Sequence, residues 1–492
     1  MEAFLGGMEL LLQPKILAIV FAGTLVGIVV GALPGISGST TTALLLPFTI
    51  AMTPVEAIAF LGALYCAANF GGSITAILVN TPGDPSASAT AFDGYPMAVR
   101  GEAGRALGIS AVASAIGGIF SIFVLIVAAP LLARLAYSFG PPEYFALAVF
   151  GLSMVAMTGG DSMVKNLIAG SFGVMLATVG QDITTGVERY TFGIYIFSDG
   201  IDFIPVLIGL FALSELLEQA TQVGKRAAVA KLGAVRLPSW ADIRRCSAAI
   251  WLSSALGTFI GALPALGATT AAMIAYVETR RWSKNKAEFG KGAIEGVAGP
   301  EAANNAAVGG AMVPTLALGI PGSGTTAIIL AGLIVQGVRP GPHLFNEQPL
   351  LLYAVFSSML LANLLYLVLG MGFAKVFARI SLIPAQFLWP AVFVLSVIGA
   401  YGPNQAIAEV WVAVAFGFVG FFMRRLGFAP APLVIGLVLG KLVEETLKQS
   451  LIIFDLSWGG FLGRPIAMTL FGLTVLFLLA PLLLQKLRGQ PS

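Results

Sequence analysis

Four short strings in this chain join helix-breaking residues to small hydroxyl side chains. Gly31-Ala-Leu-Pro34-Gly35 is followed by Ser37, Ser39, Thr40, Thr41 and Thr42, and Gly261-Ala-Leu-Pro264 by Thr269 and Thr270. Thr81-Pro82-Gly83-Asp84 is followed by Ser86 and Ser88, and Ile320-Pro321-Gly322-Ser323 by Thr325 and Thr326. Proline and glycine interrupt a helix. Inside a membrane, broken backbone survives only where it is buried in protein or lines a wet cavity. A helix that restarts at such a break offers free N–H groups and the positive end of its dipole, which bind carboxylates. Hydroxyls at that position cap the helix or donate to an anion. No charged residue lies between Gly31 and Val55, or between Leu316 and Val338, so a carboxylate would meet dipoles and hydroxyls, not a fixed cation. For a single break, a packing kink lined by small residues is an equal explanation; four breaks in matching positions favour a binding site.

A second group of residues is rich in oxygen. Asn69, Gly72, Ser73 and Asn80 precede the first Pro-Gly break, and Glu301, Asn304 and Asn305 precede the second. The last three stand at i, i+3 and i+4, on one helix face. Carboxylate and amide oxygens in such an array suit Na⁺ or a proton relay; the alternative is a solvated cap at the cytoplasmic end. The absence of histidine from these strings favours Na⁺ as the only metal ion to consider. Asp84 is either a helix cap or a carboxylate of the coupling or substrate site. His343, the single histidine, reads as structural. No zinc spacing, nucleotide loop or Ser/His/Asp grouping is present. Cys66 and Cys246 read as inert core residues.

The elements that must hold these residues are membrane helices. Of 492 residues, 57% are hydrophobic and 10% charged, against about 25% charged in soluble domains; mean hydropathy is +0.91. That excludes a soluble enzyme, and a net charge of +3 excludes a nucleic-acid-binding surface. Apolar stretches recur throughout, for about 11–12 spans in an all-α polytopic fold. Glu2 and Glu9 precede any base, unlike a cleaved signal peptide.

The strings also repeat. Gly31-Ala-Leu-Pro34 matches Gly261-Ala-Leu-Pro264, and Pro82-Gly83 matches Pro321-Gly322, in the same order. The chain therefore divides into a membrane repeat over 1–220, a polar linker over 221–245 and a second repeat over 246–492, all in one membrane domain. Lys225, Arg226, Lys231, Arg236, Arg244 and Arg245 place the linker in the cytoplasm, and Arg280, Arg281, Lys284, Lys286 and Lys291 form another cytoplasmic loop. With both flanks of Ser247–Val277 basic, this segment is expected to enter and return as a re-entrant hairpin with Pro264 at its tip; Pro34 would be the tip of its counterpart. Counting back, the first repeat crosses an odd number of times, so the repeats are expected to be inverted, as in many secondary transporters. Arg134, Arg189 and Arg464 fall outside, where they pair with local acids or dock a partner.

Longer strings resemble the large membrane subunit of the tripartite tricarboxylate transporters. They are Gly31-Ala-Leu-Pro-Gly35 with Thr42-Ala-Leu-Leu-Leu-Pro-Phe-Thr49, Pro82-Gly-Asp84 with Phe92-Asp-Gly-Tyr-Pro-Met-Ala98, Arg189-Tyr-Thr-Phe-Gly193, Gly299-Pro-Glu-Ala-Ala-Asn-Asn305, Leu318-Gly-Ile-Pro-Gly-Ser323 and Gln336-Gly-Val-Arg-Pro-Gly-Pro342. The resemblance implies a carrier of the bacterial inner membrane working with a small membrane subunit and a periplasmic solute-binding protein. It further implies import of di- and tricarboxylates driven by Na⁺ or protons, an elevator-type movement and no cofactor; assembly as a homo-oligomer stays open. The substrate would dock at Pro34, Gly35, Ser39, Thr40, Thr41, Pro82, Gly83, Asp84, Pro264, Thr269, Thr270, Pro321, Gly322, Ser323 and Thr325. The coupling ion would sit at Asn69, Gly72, Ser73, Glu301, Asn304 and Asn305. A cation/proton antiporter is the alternative, and an integral membrane enzyme a more distant one, since it wants a cluster of catalytic His, Asp or Glu at one membrane face.

Overall fold

The computed structural model describes residues 2–33, 35–155, 162–182, 184–221, 237–264, 266–373, 376–377, 379 and 385–487. Pro34, Ala265 and the linker residues 222–236 lie outside the described residues.

The chain runs α1 (Glu2–Leu11), α2 (Pro14–Gly31), α3 (Gly38–Leu45), α4 (Pro54–Val79), α5 (Ser88–Val99), α6 (Ala103–Ala136), α7 (Pro141–Val155), α8 (Met163–Ala177), α9 (Phe203–Leu207) and, after a π-helical stretch, α10 (Ser214–Ala220). It continues through α11 (Trp240–Ala262), α12 (Gly267–Trp282), α13 (Ile294–Leu318), α14 (Gly324–Val335), α15 (Leu344–Glu347), α16 (Pro349–Gly372), α17 (Ala385–Tyr401), α18 (Ile407–Arg425), α19 (Pro430–Ile453) and α20 (Pro465–Leu487). The sequence reading held no strands. Among the described residues one short antiparallel pair occurs, with Gly180 opposite Arg189 and Gln181 opposite Glu188.

By length and composition, six helices can cross a bilayer: α2, α4, α6, the run Phe203–Ala220, α16 and α18. The expected count of 11–12 also included shorter apolar helices and helices such as α13 and α19, whose charged residues (Glu301, and Lys441 and Glu444) lower their hydropathy, and left out α2, which was read as part of a re-entrant hairpin. In its second half α6 exposes Phe123, Val127, Leu131 and Leu135, one outward apolar stripe at four-residue spacing.

Two helices form the centre. Every residue of α4 from Glu56 to Val79 and of α13 from Ile294 to Ala317 is buried. Around α4 pack α2, α5, α6 and α16; around α13 pack α5, α6, α11 and α12. Each begins with a deliberate cap. Thr53 and Glu56 make a reciprocal capping box on α4. At the start of α13, Asp93 accepts from the N–H groups of Gly292 (2.7 Å) and Ala293 (2.8 Å), and from the hydroxyl of Tyr276 (2.9 Å). Each ends in a left-handed residue, Asn80 at φ 55° and Gly319 at φ 71°, which releases the chain into the Pro-Gly break.

The same contacts recur in both halves. A Cβ on Gly31 would lie 2.4 Å from the Ala68 carbonyl oxygen, and one on Gly261 would lie 2.4 Å from that of Ala307. A Cβ on Gly83 would meet the Cα of Gly72 at 3.0 Å, and one on Gly322 the Cα of Ala311 at 2.8 Å. Between lipid-embedded helices there is little hydrophobic drive to associate, so faces of small residues permit the backbone approach that holds them. Ion pairs tie the helix ends. Lys15 meets Glu56 (2.6 Å), Arg245 meets Glu288 (2.8 Å) and Glu295 (3.7 Å), and Arg105 meets Asp242. Arg245 begins α11 and Glu288 follows α12, so the start and finish of this helix pair lie together, with Pro264 between them in sequence.

Gly31→Ala and Gly261→Ala should each cost about 1–3 kcal/mol through overpacking, read as a lower thermal-unfolding midpoint of the detergent-solubilised protein. Gly372→Ala, which meets nothing within 4 Å, should leave it unchanged. Equal midpoints for all three would contradict the interlock.

Candidate functional site

Helix starts from both halves meet at one place. α3 begins after Ser37, whose hydroxyl accepts from the N–H of Thr40. α14 begins after Ser323, which forms a capping box with Thr326. The Ser39 and Thr325 hydroxyls, 286 residues apart in sequence, are hydrogen-bonded at 3.1 Å. Beside them the Tyr65 hydroxyl of α4 lies 3.2 Å from the Ser323 Oγ. A Cβ on Gly267, at the start of α12, would stand 3.8 Å from the Ser323 Cβ. α12 also packs on the 3₁₀ turn Pro85–Ala87 that follows Pro82-Gly83. Thus the residues after three of the breaks come together, and α12 brings in the fourth.

Their donors are not equally free. Asp84 Oδ2 accepts from the Gly38 N–H (2.8 Å), and Oδ1 accepts from the Ser86 N–H (2.9 Å) and hydroxyl (2.7 Å). Asp84 is therefore a helix cap that ties the α3 start to the Pro82-Gly83 loop. Its carboxylate occupies the first N–H of α3, where a ligand carboxylate was expected. Thr40 donates to the Phe211 carbonyl (3.3 Å) and Thr41 to the Ser37 carbonyl (3.0 Å), so Ser39 alone of the expected α3 hydroxyls reaches the other half. α12, by contrast, has no side-chain cap; Thr269 is exposed and Thr270 half-buried. Gly35 adopts φ +83°, and a Cβ there would lie 2.3 Å from Gln219 Nε2. Pro34 itself is outside the described residues. Gly83 donates its N–H to the Gly72 carbonyl (3.1 Å), and Gly322 donates to the Thr315 hydroxyl (3.3 Å).

The oxygen-rich group is resolved into separate roles. Glu301 is fully buried, not a solvated cap. Its Oε1 accepts from Ser73 of α4 (2.6 Å) and from Thr90 of α5, and its Oε2 from Ser110 and Ser114 of α6 (2.9 Å each). Asn305 donates to the Cys66 carbonyl (3.2 Å) and the Tyr366 hydroxyl (3.0 Å), which in turn donates to Asn363 Oδ1 (2.5 Å). Asn69 donates to the Tyr65 carbonyl (3.0 Å) and accepts from Ser86. Asn304 is fully buried, and neither its Oδ1 nor its Nδ2 has a partner among the described residues. The Gly72 carbonyl accepts from the Gly83 N–H and the Thr75 hydroxyl (3.1 Å each), and the Gly72 Cα packs on Asp84. Tyr65, Thr90, Ser110 and Ser114 were missed in the sequence. The serines carried a faint signal, an i, i+4 pair in an apolar run.

The arginines expected outside separate. Arg189 pairs with Glu444 (2.7 Å) and Asp182 (3.2 Å). Lys448 and the N–H groups of Thr185 and Thr184 hold the Asp182 carboxyl well below the usual carboxylate range. Arg134 is exposed. His343 stacks edge-on against Tyr137 at 5.8 Å. Cys66 and Cys246 are both free and buried.

Six helices long and apolar enough to cross a membrane, packed around a buried, hydroxyl-lined core of interrupted helices, define a multi-pass membrane protein. Residues 17–435 match the Tripartite tricarboxylate transporter TctA family, and the chain belongs to that family: it is a membrane component of a transporter. It is similar to an uncharacterized 52.8 kDa protein in the TAR-I ttuC' 3' region of Agrobacterium vitis, with 40% identity over 94% of this chain and 92% of that protein. A second Agrobacterium vitis protein, from the TAR-II ttuC' 3' region and also uncharacterized, is 39% identical over 46% of this chain and 94% of its own length. No solved structure is a significant match.

Asp84→Ala removes the acceptor for two backbone N–H groups and should cost about 2–4 kcal/mol of stability; Asp84→Asn keeps one acceptor oxygen and should cost less. Unfolding midpoints of the two variants check this. An unchanged midpoint in Asp84→Ala would contradict the capping role.

Proposed function

We propose that this protein is the translocating subunit of a secondary carrier that imports small di- or tricarboxylates across a bacterial inner membrane, driven by a cation gradient. The observation that carries the reading is the Ser39–Thr325 hydrogen bond, which joins a helix start of the first half to one of the second without a cationic side chain between them. Substrate carboxylates dock at the uncapped start of α12, with Thr269 and Thr270, and at the start of α14, with Thr325 and Ser39. Ser323, Thr40 and Thr41 hold the helix starts, while Gly35, Pro82-Gly83, Pro264 and Pro321-Gly322 shape the breaks. The amide of Asn304, unpartnered among the described residues, supplies a further donor to an anion or an oxygen to the coupling ion.

The halves are read as inverted repeats, each with a re-entrant hairpin, α2–α3 and α11–α12. The paired ends of α11 and α12 and the shared glycine contacts support this. Sliding of this unit past the remaining helices would be an elevator movement. A periplasmic solute-binding protein delivers the anion, and a small membrane subunit completes the assembly; membership of a tripartite family supports both.

The test is uptake of labelled di- and tricarboxylates into proteoliposomes holding the chain with its small subunit and binding protein, under imposed Na⁺ or proton gradients. Accumulation that needs the binding protein and one gradient is expected. Cation exchange with no organic anion moved would replace the reading with an antiporter. Asn304→Ala should lower uptake at least about tenfold. Its unfolding midpoint should hold or rise, because a buried polar group without a partner costs about 1–3 kcal/mol. Normal uptake in this variant would remove Asn304 from the site.

A further inference from the structure

Glu301 is a fully buried carboxylate with no cation beside it among the described residues. Taking such a charge out of water costs several kcal/mol, and in a membrane protein an ionisable group in this setting is a candidate for function. Packing does not demand it. The contact pairs shared by the halves (Ala68 with Ala307, Gly72 with Ala311, Gly83 with Gly322) place Gly62 of α4 where α13 has Glu301. One central helix is thus built with glycine at this level and the other with a carboxylate.

Resting on the carrier reading above, we propose that Glu301 is the residue that binds and releases the coupling proton. Four hydroxyl donors, two on each oxygen, fill the acceptor positions of a carboxylate, leaving no lone pair directed at a metal ion. The Na⁺ preference drawn from the oxygen-rich sequence therefore gives way at this residue. A proton needs no such vacancy. When one oxygen is protonated, a hydroxyl bonded to it turns from donor to acceptor. Its own hydrogen can pass to the carbonyl four residues back on its helix, a bond open to serine and threonine. No heavy atom has to move, and the site's charge changes from −1 to zero.

The charges on the elements packed around α13 are engaged elsewhere or exposed, Arg244 of α11 and Arg280 of α12 among the exposed ones. Arg105 of α6 is held by Asp242 and Glu102, and Arg245 of α11 by Glu288 and Glu295. Asp93 of α5 bonds Tyr276 of α12 and the N–H groups of Gly292 and Ala293, and Glu56 of α4 is held by Lys15. Arg281 of α12 meets Glu278 on its own helix. Arg134 is exposed, towards the far end of α6 from Ser110. Tyr65 and Cys66 of α4 and Tyr366 of α16 are uncharged and hydrogen-bond other residues or lie in the apolar core. The proton site is also tied to the first backbone break: Ser73 precedes Pro82-Gly83 on α4 and Thr90 follows it on α5. The state of Glu301 thus bears on both sides of the loop that Asp84 joins to α3.

Infrared difference spectra of the full chain in liposomes, titrated from mildly acidic to mildly alkaline buffer, read the carboxyl directly. A protonated-carboxyl C=O band that disappears on alkalisation is expected in the wild type and absent in Glu301→Gln. In Ser114→Ala, which removes one donor to the ionised form, the band's midpoint should move about one pH unit upward. This second variant keeps the test meaningful if the glutamine variant folds poorly. No titrating band, or one that persists in Glu301→Gln, would overturn the proposal. In transport, Glu301→Gln should lose accumulation driven by a proton gradient while retaining exchange of labelled for unlabelled anion; proton-driven accumulation at the wild-type level, or wild-type accumulation following Na⁺ with no proton entry, would also overturn it. A carboxyl that titrates in a protein moving no organic anion would leave the proton site standing and remove the carrier reading.

Discussion

Backbone polar groups buried away from water must find partners inside the protein, and the design of this chain follows from that requirement. α4 and α13 can be interrupted at Pro82-Gly83 and Pro321-Gly322 because both are wrapped on all sides by other helices. Freed N–H groups are taken up locally, by the Gly72 carbonyl at the first break and the Thr315 hydroxyl at the second. The wrapping itself depends on glycine: α2 reaches carbonyl oxygens of α4 at Gly23, Gly27 and Gly31, and α11 reaches those of α13 at Gly257 and Gly261, where no side chain intervenes.

On this shared frame the halves differ where chemistry is concerned. Asp84 fills its own neighbouring helix start, whereas its counterpart Ser323 only caps α14 and contacts Tyr65. Asn304 stands where the other half has Tyr65, and Glu301 where it has Gly62. At matching positions it is the second half that carries the helix starts without an acidic cap, those of α12 and α14, and also the buried carboxylate of Glu301. The carboxylate of Asp84 also shows that a helix start can be sealed by the protein's own acid, which narrows the open N–H groups towards α12 and α14.

Much of this was legible in the residues. Low charge and recurrent apolar segments dictate a multi-pass membrane protein because no other solvent accepts such a surface. The two Pro-Gly strings interrupt helices where the sequence placed them, since proline and glycine act through local backbone geometry. The i, i+3, i+4 spacing of Glu301, Asn304 and Asn305 correctly put them on one buried helix.

Partners across the fold were not legible. Nothing near Glu301 in sequence names Ser73, Thr90, Ser110 and Ser114, which arrive on three other helices. Nor could local pattern say that Asp84 would turn back to Gly38, or that Asn304 would be buried without a partner among the described residues while Asn305, the next residue, is held by Tyr366. The sequence by itself determined the solvent, the helices and the positions of their breaks, because those are set by side-chain hydropathy and by the backbone limits of single residues. Which breaks meet, and which polar groups are left free, was decided by tertiary packing, because hydrogen-bond partners and burial depend on residues hundreds of positions away.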